Sequence, residues 1–561
     1  MTIVKRTASR VTAFCRRFAS DVRGNVAMIF AIVLPVLILM SLGGVDIHRA
    51  STVRMNLQDA LDAATLAAAR SQFTSDADIT RVGLASLRAN LAPYSEITLL
   101  EDLTTFRLDN TGAVVADARV NVTALVANIF LPPYGQFLDD QLPVNAHSEV
   151  LRSNNRIEVA LVLDNTGSMA GSKLTNTKAA AIDLINRLQA ADARSIEEDA
   201  IKVSLVPFSM TVRVAQGGSN SVPSYMSNAN NHTGSTGTYG IFDTGVGRFT
   251  LFQRLNTTWG GCVESRPQPY DIRDTAPSSS NQATMFVPYF SPDEPDGDDY
   301  PRDSTWSNWL NSSNADRNDY VEDGSRDSNY YPFGYYNSSS TRTDEFFARL
   351  KKVSKYSTSR RGSMTTSFGP NQGCSLQPII RLTDDYGQLR TAVNNMVATG
   401  NTNVPLGAMW GWHTLSPNAP FGDGRPYNSE RLQKIIIIMT DGENVLTDTG
   451  NPNDSYYNGL GYIWQNRLGI TSGSNDARRT RMDNRFDHPT TSVEDMCGNM
   501  KAASTNIEVY TIAVQVDSDA QTVLRRCATD DSHYFPVSSA SGIGAAFDRI
   551  AGAIENLRIS R

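Results

Sequence analysis

Two apolar runs in this chain end on an aspartate, and they constrain its fold more than any other feature. ALVLD at 160–164 is followed by NTGSM, and IIIIM at 435–439 by Thr440, Asp441 and Gly442. Unbroken runs of four and five apolar residues fit strands buried on both faces, as in the centre of a parallel sheet covered by helices. Strands are predicted at 157–163, 201–208, 433–439 and 507–514, alternating with helical patterns at 173–189, 384–398, 492–503 and 541–556. In the last helix Ile543, Phe547, Ile550, Ile554 and Leu557 form one apolar stripe. Such alternation predicts an α/β fold with helices on both faces of the sheet. Ligands of open sheets of this kind bind at the carboxyl ends of the strands, where both aspartates fall.

Behind the first strand Asp164, Thr166 and Ser168 alternate on a turn that leads into a helix, so one carboxylate and two hydroxyls can converge. A plain capping role for Asp164 would explain the same residues. Two further loops at the same edge add oxygens: Gly400-Asn401-Thr402 offers the Thr402 hydroxyl ahead of a helix beginning at Pro405, and Thr440-Asp441-Gly442 offers Asp441. An all-oxygen set suits a hard divalent cation such as magnesium.

With these residues in place, the sequence over 157–214 and 376–557 closely resembles the von Willebrand factor A domain, a Rossmann-like α/β fold. The metal-ion-dependent adhesion site of that family uses Asp-x-Ser-x-Ser, a loop threonine and a later aspartate. The resemblance implies that Asp164, Thr166 and Ser168 form the first cluster and that Thr402 and Asp441 complete it, directly or through water. Thr166 stands where the family usually has serine and keeps the hydroxyl. A site of this type leaves a coordination position open to water or to a carboxylate from a protein partner.

No catalytic machinery accompanies these residues. The six histidines form no H-E-x-x-H, and no G-x-S-x-G occurs. Gly167 to Lys173 follows a strand as a phosphate loop would, but Ser172 stands where the second glycine belongs, which argues against a nucleotide.

Ahead of this region lie twenty residues without a formal charge, Val26 to Val45. As a helix at about 1.5 Å per residue they would span roughly 30 Å, one bilayer crossing. Six Lys/Arg against Asp21 give residues 1–24 a net +5, so the rest of the chain carries −12 of the overall −7. The basic flank predicts a cytoplasmic amino terminus, with the bulk exported to the periplasm. The acidic bulk argues against nucleic acid as a partner. A cleaved signal peptide is the alternative, with Ser41-Leu42-Gly43 as a cleavage site, but the apolar stretch exceeds the usual h-region of about 7 to 15 residues.

The segment RGNVAMIFAIVLPVLILMSLGGVDIHRA, followed by LQDALDAATLAAA, resembles the start of TadG-type proteins of Flp (tight adherence) pilus assembly, which join such an anchor to a von Willebrand A domain. It is similar also to a type IV prepilin at Gly24, yet Ile29 stands where a processed pilin has glutamate, which argues against cleavage there. The resemblance implies a membrane-anchored, metal-dependent protein-interaction component of a pilus or secretion apparatus, and no enzyme. A surface or periplasmic adhesin using the same site is the main alternative, and a metal-dependent hydrolase a weaker one.

The expected organisation is a basic tail over 1–24, a membrane helix over 25–45, an extended helix over 46–72, a β-rich module over 73–155 and the A domain over 156–560. Val53, Leu57, Leu61, Ala64 and Ala68 form an apolar stripe on the extended helix, which continues the membrane segment with a bend at Pro35 or Gly43-Gly44. The β-rich module is read from ITLLEDL, TTFRLDN, AVVADARVNVTALV and VNAHSEVLR, with turns at 109–112 and at Pro132-Pro133. Insertions at about 215–375 and 442–490 show no sustained helical period. The acidic stretch PDEPDGDDYPRD in the first lacks the spacing of a calcium loop and reads as solvated. Cys15 lies in the tail; the other four cysteines lie on the oxidising side and favour two disulfides. Cys497 and Cys527 flank the strand at 507–514, which favours their pairing, and leaves Cys262 with Cys374 across the insertion.

Overall fold

In the computed structural model the chain divides into two compact units, 1–153 and 154–560. The described residues run from 25 to 559, apart from 72, 74, 95–96, 110–111, 124–140, 152–154, 194, 196, 198, 229–232, 235–236, 239, 244, 296–317, 323–341 and 450–451. The basic tail and the Pro132-Pro133 turn therefore lie outside them.

In the first unit, α1 (Asn25–Arg70) continues through Pro35 and Gly43-Gly44 as one helix. Among the described residues no helix is long and apolar enough to cross a membrane. The expected span at 26–45 falls largely on side chains outside the description. Of those described, Ile29, Phe30, Val33, Leu34 and Leu37 are exposed. Val53, Leu57, Leu61, Ala64 and Ala68 are buried, as an apolar stripe facing a core must be.

Residues 76–91, read from sequence as part of a strand-like module, are instead a helix, α2 (Asp76–Leu91). Ser75 caps it by accepting from Asp78 N, and Ile79, Gly83, Leu87 and Leu91 recur every four residues on the buried face. Short strands β1 (Thr98–Leu99) and β2 (Thr105–Leu108) share one edge of β3 (Ala113–Thr123), and β4 (Gln141–Leu151) takes the other, all antiparallel. Of ITLLEDL only Thr98–Leu99 is strand, and Glu101–Leu103 form a single 3-10 turn.

The second unit is built on a nine-stranded sheet. At its centre β5 (Arg156–Asp164) is followed by α3 (Ser172–Asp192) and by β6 (Ile201–Phe208), which pairs parallel to β5 from Ile157↔Ile201 to Asp164↔Phe208. On the other side of β5 lies β11 (Leu432–Thr440), parallel, with Met439 opposite Leu163. Beyond it come β12 (Ile507–Val514) and β13 (Tyr534–Val537), also parallel. Alternate residues of β5 face opposite cores. Ile157, Val159, Leu161 and Leu163 pack with α3, α6 (Tyr386–Asn394) and α11 (Ile543–Ile559). Ala160 and Val162 face α7 (Val404–Leu415), α9 (Met496–Lys501) and α10 (Ser518–Cys527). Helix α9 is shorter than the sequence suggested because Asp495 caps it, accepting from Gly498 N at 2.6 Å.

The first insertion interrupts an edge strand. β7 (Val212–Arg213) and β10 (Ile380–Thr383) both pair antiparallel with β6, and Ile379 N donates to Arg213 O at 2.8 Å, so the strand resumes where it stopped. The insertion adds β8 (Cys262–Glu264) and β9 (Val287–Pro288) to the sheet edge. It also carries α4 (Arg248–Arg254) and α5 (Arg342–Leu350) around an aromatic core of Phe242, Phe252, Phe290 and Tyr356. The acidic stretch is not solvated where it is described. Asp293 and Glu294 are buried, Asp293 pairing with Lys355 at 2.8 Å and accepting from Tyr320 N and Val321 N at 2.6 Å each. The second insertion contains α8 (Asn475–Phe486), which buries Arg478, Met482 and Phe486; a buried arginine in the stripe hides the helical period from a hydrophobicity count. Disulfides join Cys262 to Cys374, with Cα atoms 5.8 Å apart, and Cys497 to Cys527, at 5.2 Å.

Candidate metal centre

Asp164 is the last residue of β5 and is fully buried. Its two oxygens are held from opposite sides. Thr166 N donates to Oδ1 at 2.8 Å, and Thr440 Oγ1, at the end of the neighbouring β11, donates to Oδ2 at 2.6 Å. After Thr166 the chain makes one 3-10 turn over Gly167–Met169 and enters α3 through Gly171, whose φ of +83° suits glycine. That turn leaves Ser168 exposed, 2.9 Å from the Thr166 hydroxyl. Ser168 Oγ donates to Asp441 Oδ1 at 2.6 Å. The five residues from two loops thus form one hydrogen-bonded chain.

The third loop is tied to the first by its backbone. Gly167 N donates to Gly400 O at 2.9 Å, and Thr399 N to Asn165 O at 2.8 Å. Asn403 then caps α7 by accepting from Leu406 N. A Cβ placed on Gly442 would stand 3.4 Å from Thr402 Oγ1 and 3.8 Å from Ser168 Oγ, so the absence of a side chain at 442 keeps open the space that these hydroxyls border. Asp164, Thr166, Ser168, Thr402 and Asp441 therefore meet at one edge of the sheet.

Two neighbours were not singled out from sequence. Thr440 holds Asp164, as above. Lys173 Nζ donates to Asp441 Oδ2 at 2.6 Å, although nothing in its sequence context beyond a position at the start of a helix marks it.

The chemistry of the set fits a hard cation. All five donors are oxygens and two are carboxylates; among the described residues no group of three or more His, Cys, Asp or Glu is placed to hold a metal, so the hydroxyls are essential to any such site. Asp164 is short of compensating charge: burial, aided by the nearby Asp441, pushes its carboxyl up to about 6 against the pull of the hydrogen bonds from Thr166 and Thr440.

Residues 24–71 match the family model described as "Putative Flp pilus-assembly TadE/G-like". No curated protein matches the chain. Among solved structures, the chain is similar to the vWF domain of the type V pili tip protein Mfa5 from Porphyromonas gingivalis, at 12% identity and TM-score 0.30 over 72% of this chain and 97% of that one. It is similar to the pilus adhesin SpaC from Lactobacillus rhamnosus GG, at 10% identity and TM-score 0.28 over 82% of this chain and 34% of that one. The PilB minor pilin from Streptococcus sanguinis is similar at 10% identity and TM-score 0.29, over 82% and 79%. The architecture described above rests on strand order and register. The chain thus carries a TadE/G-like amino-terminal segment, and its second unit is an α/β fold around a sheet whose central strands are parallel.

Proposed function

We propose that this chain is a membrane-anchored interaction component of a Flp-type pilus assembly or secretion apparatus, and that it engages a protein partner through a divalent cation, magnesium by its donor chemistry. The observation that carries this reading is the convergence of five oxygen side chains from three loops, with Asp164 and Asp441 brought together across 277 positions of sequence. Asp164, Thr166, Ser168, Thr402 and Asp441 would hold the cation. When bound, it would offer a coordination position to a carboxylate of the partner. The protein's own part is to fix these oxygens on strand ends and a helix start, where backbone bonds between the loops limit their movement.

The anchor would be Val26 to Val45, with the amino terminus in the cytoplasm and the bulk in the periplasm. Exposed Ile29, Phe30, Val33, Leu34 and Leu37 on α1 support it, because a helix presenting large apolar side chains outward is compatible with lipid. The visible chemistry is that of binding. Pull-down of partners from membranes by the full chain, with magnesium and with chelator, tests this function: a partner captured only with magnesium supports it, and equal capture in chelator overturns the metal dependence.

A further inference from the structure

Both oxygens of Asp441 are engaged, one by the Ser168 hydroxyl and the other by the Lys173 ammonium, each at 2.6 Å. The two members of the ion pair differ in freedom. The Asp441 side chain is fully buried at the end of β11, whereas Lys173 keeps 23% of its side chain exposed, at the second residue of α3. A lysine is a compact charge on a flexible four-carbon stem, so Lys173 can swing to solvent while Asp441 stays.

Resting on the metal reading above, we propose that Lys173 is an internal counter-cation that competes with a divalent cation for Asp441 and so sets the threshold at which the site loads. Asp164 and Asp441 bring two negative charges and Lys173 one positive. In the cation-free fold the ammonium compensates a carboxylate whose burial without a partner would be strongly destabilising. Like charges a few ångströms apart repel, so Lys173 and a divalent cation are not both held at Asp441. Lys173 therefore leaves Oδ2 as the site loads, and the affinity measured for the cation is reduced by what that pair contributes. The same exchange frees a positive charge at the rim, next to where an acidic partner would dock.

The test is calorimetric titration of the full chain in detergent with magnesium chloride, together with thermal unfolding with and without magnesium. K173Q removes the charge and should bind magnesium roughly tenfold tighter, the effect of losing one charge-assisted hydrogen bond to the competing group. It should also be less stable than wild type without magnesium and gain more on adding it. K173M serves as a second neutral variant if K173Q does not fold, and K173R should stay near wild type. Equal magnesium affinity in wild type and the neutral variants overturns the role of Lys173 while leaving the metal site standing. No heat of binding in any form removes the metal reading and this inference with it.

Discussion

Ser168 and Asp441 lie 273 positions apart in sequence and share a 2.6 Å hydrogen bond at the carboxyl edge of the sheet. Neither loop makes the site alone. Replacing Asp441 with Ala removes one of two carboxylates and releases Lys173 to solvent. The expected outcome is loss of the magnesium heat in calorimetry with the sheet still folded by circular dichroism. Thr166→Ser keeps its hydroxyl and should change magnesium affinity by less than about threefold, within the usual effect of a conserved hydrogen bond.

Magnesium affinity should fall in mild acid. Asp164 is pushed up to about 6 by burial, so in the cation-free fold it takes a proton as pH drops through that value, and the cation must compete with the proton. At pH 5 affinity should be about tenfold weaker than at pH 7, as expected for one carboxylate a unit below its pKa. The sign for the cation-free protein is the reverse. A carboxyl raised above its unfolded value of 3.8 favours the fold when protonated, so the share of stability due to Asp164 is present at low pH and fades as pH rises through about 6. Titrations at the two pH values and denaturant unfolding of wild type against Asp164→Asn check both.

Helix α7 approaches the sheet closely because it carries glycines. A Cβ on Gly411 would collide with Val162 Cγ2 and Ile436 Cδ1, and one on Gly407 with Phe208. Gly411→Ala should destabilise the protein by about 1–3 kcal/mol through overpacking, measured by denaturant unfolding. Because α7 begins directly after Thr402 and Asn403, the same variant should weaken magnesium binding without touching a ligand.

The Cys497–Cys527 bond closes 30 residues around β12. Replacing both cysteines with alanine should cost on the order of 3.5 kcal/mol in the loop-entropy model. Cys262–Cys374 closes 112 residues at the neck of the insertion, and its removal should cost somewhat more in the same model. Unfolding midpoints give the magnitudes. Peptide mapping without reduction should recover these two pairs; four free thiols at these positions would contradict them.

The proposed membrane anchor makes a separate prediction. Protease added to spheroplasts should degrade the chain beyond about residue 50 and leave a short protected amino-terminal fragment. A mature protein starting near Gly44 would instead mean that the apolar segment is a cleaved signal.

By itself the sequence determined whatever depends on neighbours within a few turns of chain. The apolar runs of β5 and β11, the stripe of α11 and the oxygen-bearing loops at 164–168, 402 and 441 are local patterns, and burial on both faces of a parallel sheet leaves them little alternative. Only the tertiary structure decided what depends on pairing at a distance. That β11 lies beside β5, which puts Thr440 against Asp164, is set by strand order. Lys173 meets Asp441 across 268 positions, a partnership no spacing rule encodes. The 215–375 region interrupts an edge strand, which could not be read because its halves are only two and four residues long. α2 was hidden by a glycine at a buried position, where its missing Cβ lets Phe106 pack against the helix, and α8 by the buried charge of Arg478. Hydrophobic periodicity reports which residues leave water, whereas ion pairs, close helix packing and strand order depend on what they meet when they do.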